Sequence, residues 1–473
     1  MAELEKRVEG YLDEVCAQVR CRRVHAQLRE ELRGHLEERI EGYIAAGMDA
    51  QQAVRQAIVQ MGDGSQVGRE FNRTHRPQVD WRMLVLVALF AAAGAAMMAV
   101  FGREYGETVF RNSGYFVVRF ALYLTIGLVL MLGLMCLDYS RLRKHPMWLY
   151  GAAVLLFVLA EVFGVYANGR PYLDLRFFQV SPLPLASPLF IVAFAGLAAN
   201  YRGGGVRCLC KLVAAGIGSI LLMLAYPSLA GALLLLICYA TILTVTVAKG
   251  DFACRRGITL AVLYGGGALL ILVFVGFVTG WKGAYVFQRF GAFLNFGAAD
   301  PRGAGYIYAI SHQWLTASEL FGPAQGMAQS LSQSLPDAHR NFAFVSAVAT
   351  FGWAAGAGIL LLAAAFVGRI VQVGRRANSA FGSYLCLGVA TMLAAEFLLC
   401  TLASLGMLPM LDVGMPFLSY GGTEYVAHLA MVGLVLSVWR YNNLLQRDGS
   451  PALEAPLKRF VQFEDGKLIV SFK

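Results

Sequence analysis

Runs of about twenty apolar residues recur along this chain, and one such run is enough to cross roughly 30 Å of hydrocarbon. They fall near 82–101, 116–137, 147–167, 184–200, 210–225, 227–248, 257–279, 342–367, 379–405 and 425–445. In lipid no water is available to satisfy backbone N–H and C=O groups, so segments of this kind must be helices. The expected fold is therefore an all-α polytopic membrane protein with about ten transmembrane helices.

The loops set an expected orientation. Basic residues follow the second segment (Arg141, Arg143, Lys144), the fourth (Arg202, Arg207, Lys211), the sixth (Lys249, Arg255, Arg256) and the eighth (Arg369, Arg375, Arg376). The alternate loops are balanced or acidic, with Arg103 and Arg111 set against Glu104 and Glu107, and with Asp412 and Glu424. Cytoplasmic loops collect Lys and Arg, so both termini are expected in the cytoplasm of a bacterial inner-membrane protein. The same rule accounts for the net charge of +10 without nucleic acid. With 58% hydrophobic and 15% charged residues, the chain has too little charge to cover a soluble surface of this size. The nine cysteines form no disulfide framework, and Cys208 and Cys210 lack the second pair that a zinc site needs.

Residues 1–76 read as a cytoplasmic helical unit, with Leu28, Leu32, Leu36, Ile40 and Ile44 at helical spacing. Asp49 is a helix N-cap candidate, and Gly47 and Gly62 sit where helices end. The polar start gives no sign of a cleavable signal peptide. Gly34-His35-Leu36-Glu37 and Met61-Gly62-Asp63 resemble the helical prefix domain found before permease-like proteins of Gram-positive bacteria. The membrane domain spans 77–445. Within it, 280–341 is a large extracellular loop between helices seven and eight. The tail, 446–473, carries an expected β-hairpin with an Asp465-Gly466 turn. Tyr226-Pro227 between segments five and six is either a tight turn or part of a re-entrant element.

Three patches resemble the SEDS family (shape, elongation, division and sporulation), whose members include FtsW, RodA and SpoVE. The first is Gln288-Arg289, Phe293-Leu294-Asn295, Asp300-Pro301, Gly303 and Gly305-Tyr306. The second is Leu335-Pro336-Asp337-Ala338-His339-Arg340-Asn341-Phe342, and the third is Met415-Pro416-Phe417-Leu418-Ser419-Tyr420-Gly421-Gly422-Thr423. The resemblance implies a cell-wall glycosyltransferase that polymerises glycan strands from lipid II in division, elongation or sporulation. It also implies a class B penicillin-binding protein as transpeptidase partner. The family's catalytic aspartate aligns with Asn341, and its Gln-Pro-Asp-x-Gly-Thr element appears here as Tyr226-Pro227-Ser228-Leu229-Ala230-Gly231.

Joining a sugar hydroxyl to an anomeric carbon needs a proton acceptor, and a carboxylate in that role contributes about 10²- to 10⁴-fold. Asparagine keeps the shape of aspartate but accepts no proton, so Asn341 preserves binding better than turnover. Asp337, one helical turn earlier, and His339 are candidate substitutes, as is Asp300. Arg289, Arg302 and Arg340 are candidate pyrophosphate contacts. Ser419, Tyr420, Gly421 and Gly422 are expected to form a glycine-permitted turn in the site wall. Glu396, an acid inside an apolar run, is expected to face a cavity or a partner. A divalent cation (Mg or Mn) remains open as a cofactor. The alternatives are a degenerate, lipid-precursor-binding or regulatory paralogue, and a transporter of lipid-linked precursor. No paired intramembrane acids or inverted repeat are apparent for the transporter.

Overall fold

The computed structural model describes residues 2–19, 25–74, 78–106, 114–167, 170–174, 179–226, 228–268, 305–326, 330–442, 461–464 and 467–470. It divides into two compact units, 80–439 and 1–79 taken with 440–473.

Among its described residues the first unit contains four helices: α1 (Ala2–Gln18), α2 (His25–Ala45), α3 (Ala50–Met61) and α4 (Gly64–Thr74). Leu12, Val15, Leu28, Leu32, Leu36 and Ala57 form its buried core. The predicted stripe on α2 is buried through Leu36, partly buried at Ile40, and open at Ile44. The Asp49 side chain accepts a hydrogen bond from the Gln51 N–H and so caps α3. Gly47 and Gly62 take the positive φ that helix ends favour. His35 is a partly exposed surface residue 3.9 Å from Glu38. Strands β4 (Val461–Glu464) and β5 (Lys467–Val470) pair antiparallel with Glu464 opposite Lys467, and the Asp-Gly turn between them lies outside the described residues.

The second unit is the membrane bundle. Nine of its helices are long and apolar enough to cross a membrane among the described residues. They are α5 (Trp81–Gly106), α6 (Tyr115–Cys136), α8 (Pro146–Phe163), α9 (Pro182–Asn200), α10 (Val206–Ala225), α11 (Leu229–Lys249), α16 (Trp353–Arg376), α17 (Ala380–Ser404) and α18 (Gly422–Tyr441). Shorter helices are α7 (Ser140–Lys144), α13 (Tyr306–Ala317), α14 (Leu331–Ser334) and α15 (Ala343–Phe351). The expected seventh segment is helical over 256–268 (α12), and its remainder lies outside the described residues. The chain is a multi-pass membrane protein built from helices.

Two expectations change. The eighth segment is not one helix: Gly352 (φ 90°) breaks it, and a Cβ there would come within 2.6 Å of the Leu320 carbonyl oxygen. The third segment ends at Phe163, and the chain then folds into a small sheet of β1 (Val165–Ala167), β2 (Arg170–Asp174) and β3 (Gln179–Val180). Helices α10 and α11 are 20 and 21 residues long, each enough for a full span, and pack together.

Helix α17 lies at the centre, packed on α9, α11 and α16. Lipid supplies little hydrophobic drive between helices, so close approach depends on small residues. Gly388 of α17 illustrates this: a Cβ there would stand 2.5 Å from Ile191 Cγ2 of α9. At the opposite end from the site described below, the Arg369 guanidinium donates to the Asp80 carboxylate at 2.9 Å, with both residues buried. Asp80 also accepts from the Met83 N–H at the start of α5, and Trp439 stacks on the guanidinium at 4.7 Å. Removing one member of a buried pair strands the other charge, so Arg369→Ala should lower stability by about 3–5 kcal/mol. This is read as a fall in the thermal midpoint of the purified protein, and an unchanged midpoint would refute the assigned role.

Candidate functional site

The second and third sequence patches meet at one end of the bundle. Between α14 and α15 the chain forms a tight turn in which the Asp337 carbonyl accepts from the Arg340 and Asn341 N–H groups at 2.9 and 3.1 Å. Asp337 takes a left-handed φ of 53° there, a conformation that non-glycine residues adopt rarely. It is exposed, and no helix continues from it to Asn341, so the expected shared face does not form. Nor does Asp337 cap α15, whose N-cap position is Phe342 without a side-chain bond.

This turn docks on the loop before α18. The Ser419 hydroxyl donates to the Arg340 carbonyl at 2.7 Å and accepts from the Met415 N–H at 2.6 Å. The Tyr420 N–H donates to the His339 carbonyl at 2.8 Å. The Cys400 thiol of α17 contacts the Asn341 carbonyl at 3.7 Å. Ser419 is therefore engaged in holding two loops together, a structural role rather than a nucleophilic one. Phe417, φ 65°, turns the loop and is held by Phe90, Phe366 and Tyr425 rings at 5.2, 5.6 and 5.8 Å.

The glycines of the third patch serve space rather than torsion, since neither Gly421 nor Gly422 has positive φ. A Cβ on Gly422 would fall 2.1 Å from the Tyr123 ring, and one on Gly421 would fall 2.7 Å from Glu424 Oε2.

Arg340 lies at the centre of the polar cluster. Its Nη2 is 3.4 Å from Glu424 Oε1 and 3.8 Å from Asp412 Oδ1, and Tyr172 of β2 lies beside it. Burial opposes the charged guanidinium, but Glu424 and Asp412 outweigh that penalty and hold its pKa above the ordinary value. The side chains of Arg340, Asp412 and Glu424 remain 34%, 30% and 27% exposed, leaving the cluster accessible. The nearby cleft lined by Met98, Phe120, Tyr123 and Tyr425 has a cavity volume of only about 10 Å³, far below the roughly 300–1,000 Å³ of ligand pockets.

The other predicted residues are placed as follows. Asn341 Oδ1 is buried without a hydrogen-bond partner among the described residues. The His339 ring packs against Phe116, Tyr420 and Phe101 at centroid distances of 5.7, 5.8 and 6.3 Å. Burial pushes its pKa below the ordinary value despite the opposing pull of Asp337. Glu396 is buried inside the bundle, accepting from or donating to His428 Nε2 at 2.8 Å, so a substrate at the polar cluster does not reach it. Arg289, Asp300 and Arg302 lie outside the described residues. Asp412, Glu424, Tyr172 and His428 were not singled out as site residues. The available signal was that Asp412 and Glu424 are two acids flanking the third patch, facing the basic Arg340 of the second.

No group of three or more His, Cys, Asp or Glu side chains gathers as metal ligands among the described residues. Arg340 Nη2 lies between the Asp412 and Glu424 carboxylates.

Two outcomes follow. Gly422→Ala should drive a methyl group into Tyr123 and reduce the yield of folded protein, and adding Tyr123→Ala should restore it; equal yields for all variants would refute the packing account. His339 is favoured neutral in the fold, so its contribution to stability is present above the unfolded-state pKa and lost as pH falls. The thermal midpoint should drop as pH goes from about 7 to about 5, and His339→Phe should flatten that drop.

The family described as cell cycle protein, which groups FtsW, RodA and SpoVE, matches residues 80–444. A probable peptidoglycan glycosyltransferase FtsW of Thioalkalivibrio sp. is 29% identical over 379 residues, covering 77% of this chain and 90% of the relative. Stage V sporulation protein E of Bacillus subtilis is 24% identical over 379 residues, covering 78% and 99%. Among solved structures, a peptidoglycan synthase complex aligns with TM-score 0.62 at 24% identity, over 77% of this chain and 98% of its own. Thermus thermophilus rod shape determining protein RodA aligns with TM-score 0.53 at 22% identity, over 77% and 97%. With the fold, the docked motifs and the extent of the match agreeing, the chain belongs to the FtsW, RodA and SpoVE family of cell cycle proteins.

Proposed function

We propose that this protein binds an undecaprenyl-linked peptidoglycan precursor, lipid II, at the end of the bundle formed by 337–341 and 412–424, and acts in glycan-strand polymerisation. The observation that carries the reading is the partly exposed cluster of Arg340, Asp412 and Glu424, with Tyr172 beside it, at one end of a membrane bundle. One guanidinium between two carboxylates carries a net negative charge. Such a cluster suits sugar hydroxyls, which both donate and accept, better than it suits a pyrophosphate. The role of pyrophosphate contact therefore passes from Arg340 to Arg289 and Arg302 of the large loop.

The site opens to the outside of the cell in this reading, with both termini in the cytoplasm. The basic groups Arg141, Arg143, Lys144, Arg375 and Arg376 belong to loops and helix ends on the other side of the bundle. A transpeptidase partner, of the class B penicillin-binding type, is supported by the solved relative, described as a peptidoglycan synthase complex coordinating polymerization and crosslinking. Asn341 favours a second reading, a precursor-binding regulatory paralogue, because its carboxamide accepts no proton.

Binding is tested with the full chain in nanodiscs against lipid II and against undecaprenyl pyrophosphate, which lacks the sugars. Lipid II should bind more tightly, and Arg340→Ala should remove about tenfold or more of that affinity, as expected for lost charged hydrogen bonds. Equal affinity for the two lipids would overturn the reading. Scoring the same samples for polymer, with and without magnesium, separates the enzyme from the paralogue.

A further inference from the structure

Resting on the precursor-binding reading above, we propose that Glu424 is the carboxylate that accepts the proton of the acceptor sugar in this chain, in place of the side chain at 341.

The two positions differ in what surrounds them. Asn341 Oδ1 is buried and meets no donor among the described residues. A carboxylate introduced there would be desolvated without a partner. Glu424 stands in the first turn of α18, a quarter exposed, and its two oxygens have separate surroundings. Oε1 faces the Arg340 guanidinium at 3.4 Å. Oε2 lies over a floor made by Gly414 and Gly421, where added Cβ atoms would stand 3.2 and 2.7 Å away. No hydrogen bond to Oε2 from a described residue is present, so one oxygen is anchored and the other is open to a hydroxyl. The two glycines keep that approach clear.

The anchoring extends below the site. His428 lies one helical turn along α18 from Glu424 and bonds Glu396 of α17 at 2.8 Å. Cys400, one turn along α17 from Glu396, contacts the Asn341 carbonyl. The α17–α18 pair therefore holds both Glu424 and the 340–341 segment in register.

In the step, the acceptor hydroxyl gives its proton to Glu424 Oε2 while its oxygen forms a bond to the donor's anomeric carbon. The bond from that carbon to the pyrophosphate oxygen breaks with its electron pair, and undecaprenyl pyrophosphate leaves as an anion. Glu424 then returns the proton to water. No oxidant, reductant or further reactant is needed.

The experiment uses the full chain in nanodiscs with labelled lipid II, reading binding and polymer separately. Glu424→Gln should lose about 100-fold or more of the polymerisation rate at saturating lipid II, while Glu424→Asp keeps an intermediate rate. Wild-type rates from Glu424→Gln would overturn the assignment. Binding by wild type without polymer would also overturn it while leaving the precursor-binding reading intact. Failure of wild type to bind would overturn both. Should Glu424→Gln not fold, Glu424→Asp decides: it keeps the charge but withdraws the carboxylate by one methylene, so an unchanged rate would refute the role.

Discussion

The docking of the 337–341 turn onto the 415–424 loop is the contact on which the site depends. It is made to main-chain carbonyls: those of His339 and Arg340 accept from the Tyr420 N–H and the Ser419 hydroxyl, and that of Asn341 is contacted by the Cys400 thiol of α17. At the edge of a bilayer, irregular backbone must find partners within the protein, because unsatisfied polar groups there are costly. Satisfying those carbonyls fixes where Arg340 emerges, and Arg340 in turn collects Asp412, Glu424 and Tyr172. Two sequence patches some eighty residues apart thus act as one element, and the polar cluster is a consequence of their backbone fit.

The interior of the bundle supports that fit by an unusual means. Glu396 and His428 bring polar groups into a region otherwise packed with Phe, Leu and Ala, and each satisfies the other across α17 and α18. Ionisable groups within spans need partners of this kind. Their presence one turn below Cys400 and Glu424 fixes the relative height of the two helices more sharply than apolar contacts, which permit sliding. Phe417, packed against the His428 ring at 5.4 Å, couples this pair to the loop above.

Much of the membrane architecture was legible because hydrophobic length is a strong signal: residues such as 380–404 admit no other reading in a chain so poor in charge. The break at Gly352 was not legible, since its cause is the distant Leu320 carbonyl rather than any local pattern. The site was legible as motifs but not as geometry. Ser419 and Tyr420 were visible as a turn, whereas their bonding to 339–340 depends on tertiary placement. Asp337 illustrates the limit: four-residue spacing suggested a shared face with Asn341, but the chain turns through φ 53° instead of continuing as a helix. Likewise the pairing of Arg340 with Glu424 crosses 84 residues, beyond the reach of periodicity.

The interruption at Gly352 also shapes how the large loop relates to the spans. Breaking the helix frees the N–H groups of Trp353 and Ala354, and these are taken up by the carbonyls of Glu319 and Leu320 at 3.0 Å each. The Gly322 and Ala324 N–H groups answer with bonds to Phe351 and Ala349. Residues 319–324 of the loop are thereby stitched to the end of α15 and the start of α16. Exchange of this loop between relatives must therefore move both sides of the seam together, because a loop that does not fit the junction would leave the Trp353 and Ala354 donors orphaned.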